Sequence, residues 1–134
     1  MNDQELSEDY IRSNADAIDW NDISWRVPLV EDTIIEFVHK VNWVLISKYQ
    51  KLSEDFIRKF QDNVSWALIT TQQTLSEDFI REFQDRVNWD GVSYKQKLSK
   101  DFILEFINKV NLNRILVYQD LDQETREYLL LLNG

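Results

Sequence analysis

Five aspartates recur at one fixed interval along this chain: Asp9, Asp32, Asp55, Asp78 and Asp101, with Glu124 next in line. A carboxylate ladder at a 23-residue spacing is a candidate metal or substrate site. A plainer account competes with it. Each of these residues falls in the first turn of a predicted helix, where the helix dipole and local N–H bonding favour an acid. No Asp-x-Asp-x-Asp-Gly loop is present to hold calcium. A second row, Gln50, Gln73, Gln96 and Gln119, closes successive copies. Its amides suit bonds to turn backbone that tie neighbouring copies together, and a ligand-contacting row is the weaker reading. His39 is the one histidine, at a place held elsewhere by Asp16, Asp62, Asp85 and Asn108, which marks a solvent side. There is no cysteine, and no serine stands beside a base, so neither a triad nor a transition-metal cluster assembles. Gly91 is isolated, so no phosphate-cradling loop exists. The sequence thus reads as non-enzymatic, with no metal and no cofactor.

The interval itself carries more than any single residue. Leu6, Leu29, Leu52, Leu75, Leu98 and Leu121 lie 23 residues apart, and Trp20, Trp43, Trp66 and Trp89 keep the same step, with Leu112 fifth. The chain is one helical-repeat domain over residues 1–134, with copies at 6–28, 29–51, 52–74, 75–97 and 98–120 and a cap at 121–134. A copy this short cannot bury its own apolar side, so copies must stack on their neighbours. In the clearest copy Ser76 is an N-cap, Glu77 and Asp78 follow it, and Phe79, Ile80, Phe83 and Val87 form one helical stripe. Asn88 then caps a shorter helix from Trp89 to about Lys95, and Asp19, Asn42, Ser65 and Asn111 hold the same place. The first helix is expected to run about 12 residues. Leu75 precedes the cap as a hydrophobic staple. The expected fold is all-α: a short α-solenoid of alternating long and short helices, five copies plus a C-terminal capping helix. Within the run Leu129–Leu132 not every side chain can face inward, and the exposed part offers a route to a homo-oligomer.

Charge is unevenly placed. Of the net charge of -9, residues 1–25 carry -6 and residues 120–134 carry -3, while the stretch between is neutral. No basic stripe exists to meet phosphates, so direct nucleic-acid binding is not expected. No apolar run is long enough to span a membrane and no signal peptide is visible. The lack of cysteine suits the cytoplasm. The positions that vary between copies lie at the end of the short helix, where aromatic and basic residues mix: Trp25 and Arg26, Lys48 and Tyr49, Tyr94 and Lys95, then Tyr118. Such residues dominate interaction hot spots, so this ridge is the candidate protein-binding surface. Asp16, Asp19 and Asp22 in the first copy form the candidate acidic patch.

The series Leu-Ser-Glu-Asp-Phe-Ile-Arg-x-Phe, seen from Leu52 to Phe60 and from Leu75 to Phe83 and followed by Asn88-Trp89, resembles a degenerate repeat. That repeat occurs in hypothetical proteins of large DNA viruses, phages and some bacteria. The resemblance implies a viral or mobile-element origin, binding to another protein, and residence in the host cytoplasm. It weakens at Tyr10 and Asn14, where the hallmark has Phe, and in the last copy, which lacks a second helix. A viral setting raises a second class of function: an acidic inhibitor that mimics nucleic acid or occupies the nucleic-acid site of a host defence protein.

Overall fold

A computed structural model describes residues 7–133, which leaves Leu6 outside the described residues. The chain divides into two compact halves, Met1–Leu68 and Ile69–Gly134. Among the described residues there are eleven helices and no strand, the all-helical repeat that the 23-residue interval predicts.

The first half contains α1 (Glu8–Ser13), α2 (Trp20–Arg26), α3 (Glu31–Glu36), α4 (Trp43–Tyr49) and α5 (Glu54–Lys59), and α6 (Trp66–Gln72) begins in it. The second contains α7 (Glu77–Glu82), α8 (Trp89–Lys95), α9 (Lys100–Glu105), α10 (Leu112–Tyr118) and α11 (Gln123–Asn133). Helix starts follow local chemistry. The Ser53, Ser76 and Ser99 hydroxyls accept from Phe56, Phe79 and Phe102 N–H, and Asn42, Asn88 and Asn111 side chains cap α4, α8 and α10. Helix α3 starts at Val30, which has no side chain able to cap it.

The first helix of each copy is shorter than expected. The stretch 76–87 is α-helical only from Glu77 to Glu82, and Phe83 leaves the helix at φ -107 and ψ 30. Hydrogen-bonded turns carry the chain onward, Arg86 and Val87 N–H both reaching the Phe83 carbonyl. Contacts from outside the segment hold the bend that follows. Asn88 N–H, which a continued helix would give to Gln84, instead donates to the Thr70 hydroxyl at 3.2 Å. The freed Gln84 carbonyl accepts the Trp89 indole N–H at 2.9 Å. In the first half Asn42 N–H donates to Ser24 Oγ at 2.9 Å and the Trp43 indole to the Val38 carbonyl at 3.0 Å.

Each half has a core of stacked copies. Ile11, Ile34 and Ile57 are buried with Ile23 and Ile46 in the first, and Ile80 and Ile103 with Ile69, Val92 and Ile115 in the second. Helix α2 packs on α4, and α8 packs on α10, which packs on α11. Aromatic pairs close the joints. Trp43 lies 5.4 Å from Phe60, and Trp89 lies 5.1 Å from Phe106, between ring centres. Leu129 and Thr125 of α11 are buried, so this helix covers the last joint of the second half.

Candidate protein-binding surfaces

Buried glutamines inside each half are committed to the stack. Gln96 donates to the Thr70 and Gln73 carbonyls, both at 2.7 Å, and accepts from Leu75 N–H at 2.9 Å. Gln119 repeats this with the Ser93 and Gln96 carbonyls and Leu98 N–H, and Gln50 with the Ser24 and Val27 carbonyls and Leu29 N–H. These three glutamines are buried. They tie copies through backbone, as their position suggested, and their amides are fully engaged in doing so. The acidic ladder is assigned differently from the sequence reading. The Asp78 carboxylate meets the Arg81 guanidinium at 2.6 Å, as Asp55 meets Arg58. Serine does the capping, which leaves the aspartate free to turn outward to the arginine one turn on. Its first-turn place at the positive helix end remains.

Sequence reasoning missed the role of the preceding glutamate. The Glu77 carboxylate accepts from both the N–H and the hydroxyl of Ser99, at 2.6 and 3.0 Å, and Glu31 does the same for Ser53. The only signal was Glu recurring 22 residues before a cap serine.

What the stack leaves over lies at the ends of the second helices. In the first half Trp25 and Tyr49, each about half exposed, sit 5.9 Å apart at an interplanar angle of 53°, with Lys48 Nζ 5.2 Å from the Tyr49 ring centre. In the second half Tyr94 and Tyr118 sit 5.6 Å apart at 56°. The same geometry thus recurs with partners 24 residues apart. Arg114 lies 5.1 Å over the Tyr94 ring and 3.4 Å from Asp90. Arg114 comes from the first turn of α10, away from the ridge positions, and the sequence pattern did not single it out. Lys95 is exposed beside Tyr94, and Arg26 is bonded to Asp22 rather than open to a partner.

The three acidic-patch residues have separate engagements. Asp16 meets Lys40 Nζ at 3.1 Å. Asp19 caps α2 by accepting from Asn21 and Asp22 N–H. Asp22 pairs with Arg26 at 2.6 Å, and that hydrogen bond, then the guanidinium charge, holds its carboxyl below the usual range. Asp19, Asp22 and Arg26 share a hollow of about 280 Å³, and Asp16 stands outside it. Elsewhere Glu105 is held low by its hydrogen bond to Arg81, and Asp122 by those from Thr125. His39 is exposed. Among the described residues no three His, Cys, Asp or Glu side chains gather to hold a metal, and no helix is long and apolar enough to cross a membrane.

Comparison with models of protein families, with curated proteins and with solved structures finds no match for this chain.

Proposed function

We propose that this chain is a non-enzymatic protein–protein interaction module of viral or mobile-element origin, acting in the host cytoplasm and binding no nucleic acid directly. Its binding residues are Trp25, Tyr49, Tyr94 and Tyr118 with Lys48, Lys95 and Arg114 beside them. One observation carries this reading: tilted aromatic pairs, with a cation against one ring and at least one ring half exposed, occur in both halves. The same two positions of the third copy hold Thr71 and Gln72, within an equally regular helix. The repeat therefore forms without aromatic residues there, and a role in recognition accounts for their presence elsewhere. The likeness of residues 52–60 and 75–83 to the repeat of viral and phage proteins supports the proposed origin.

A partner is first captured from a lysate of the source cell and identified by mass spectrometry. The Tyr49→Ala/Tyr94→Ala double variant should then keep its far-ultraviolet circular dichroism and bind about tenfold or more weakly. Full binding by that variant removes the aromatic assignment. The acidic-inhibitor reading draws on Asp19 and Asp22 opening onto one hollow. It makes the opposite forecast: neutralising Asp16, Asp19 and Asp22 weakens association, with a steep dependence on salt. The engagement of Asp16 and Asp22 with Lys40 and Arg26 favours the aromatic surface.

A further inference from the structure

The last complete copy lacks the groups that seal the joint before it. Arg81 lies 5.6 and 6.0 Å over the rings of Phe102 and Phe106 and pairs with Glu105, while Trp89 stacks on Phe102 and packs tilted against Phe106. One interval later the places of Arg81, Gln84 and Trp89 are taken by Leu104, Ile107 and Leu112, and α11 brings Thr125 and Leu129 where Phe102 and Phe106 stood. Aliphatic side chains replace two aromatic layers, and the joint is left underfilled. The result is an apolar groove of about 450 Å³ lined by Leu104, Ile107, Asn108, Leu112, Tyr128 and Leu132. A hollow of about 210 Å³ adjoins it across Leu104 and Tyr128 and takes in Lys100, Glu124 and Thr125.

Next to this groove α11 carries its own protruding side chains. Tyr128 and Leu132 line the groove, and Leu131, on the same outer side of the helix and 81% exposed, projects beside them. Hole and projection therefore lie side by side on one surface. A two-fold interface requires this, because each copy must supply both. The charges at the rim agree. Lys100 and Glu124 border the same hollow and are both exposed, and the Lys100 charge also acts on Asp122 beside it. Around a two-fold axis each faces its opposite twice, so one surface satisfies itself without help from a foreign chain.

We infer that the groove between α9, α10 and α11 is filled by α11 of a second copy of this chain. Leu131 enters the groove of the other copy, whose wall includes Tyr128 and Leu132, and Lys100 pairs with Glu124 across the axis. This surface is separate from the aromatic pairs proposed to bind another protein, so failure of either assignment leaves the other standing.

Sedimentation equilibrium and light scattering of the full chain, over a wide concentration range, test this. The wild-type chain should form a dimer. Leu131→Glu, which alters an exposed side chain, should weaken it about tenfold or more with unchanged circular dichroism. Lys100→Glu and Glu124→Lys should each weaken it, and the double reversal should recover most of the loss. A chain that stays monomeric at every concentration overturns the proposal, whether or not other proteins occupy the groove. So does a dimer indifferent to Leu131→Glu and to the charge reversals, because its interface then lies elsewhere.

Discussion

Glutamine and threonine show opposite balances of burial and bonding. Gln96 is nearly inaccessible and uses two donors and an acceptor on three backbone groups, two in the preceding copy and one at the start of its own. Gln96→Ala strips a partner from each of these groups at once. The expected loss is roughly 2–4 kcal/mol in urea unfolding, since each deprived buried group costs about 1–3 kcal/mol and some relax. Gln72→Ala, at an exposed place on α6, should stay within about 0.5 kcal/mol of wild type. Thr33 is the reverse case. It occupies a position held by Phe56 and Phe79 in the next two copies, is buried, and has no hydrogen-bond partner for Oγ1 among the described residues. Thr33→Val keeps the shape and removes the orphan hydroxyl, so unfolding should shift toward higher urea, by about 1 kcal/mol. A lower midpoint would show that the hydroxyl has a solvent partner in solution.

Helix starts and helix ends were unequally legible at the level of the element. A start is written locally, in a serine or asparagine followed by an acid or an aromatic, and Ser76 and Asn88 cap where the pattern places them. An end is not. Helix α7 ends at Glu82 in the middle of its apolar stripe, and the bend that follows is held by Asn88 N–H on a hydroxyl 18 residues earlier in the chain, which no local stripe contains. Candidate ridge positions were visible by comparing copies, but Arg114 reaches the Tyr94 ring from a different turn of a different helix. The indole bond offers a direct check on the turn. Trp89→Phe preserves most of the ring contact with Phe106 and leaves the Gln84 carbonyl without the indole N–H. It should cost about 1 kcal/mol, against roughly 3–5 kcal/mol for Trp89→Ala, read from thermal melts of both. Equal costs would place the value of Trp89 in its hydrogen bond alone.

For the molecule as a whole, acid should act through a few carboxylates. Asp22, Glu105 and Asp122 are held below their ordinary range by Arg26, Arg81 and Thr125 respectively. A carboxyl held low in the folded state binds protons more readily when unfolded, so its contribution is present above about pH 4 and fades as the pH falls further. Unfolding midpoints should be level between about pH 7 and 5 and decline below, with Asp122→Asn showing a shallower decline. A different consequence follows from the way Gln96, Gln119 and Ser93 bond to backbone 18 to 26 residues away. For these bonds each copy brings its own donors and acceptors and asks of its neighbour only main-chain groups, which any sequence supplies. Unequal recombination that duplicates 75–97 in register would hand the new copy a complete set of bonds. A duplication one residue short would mismatch them all. Array length is thereby open to change in whole steps, while the side chains that face outward drift with whatever they meet.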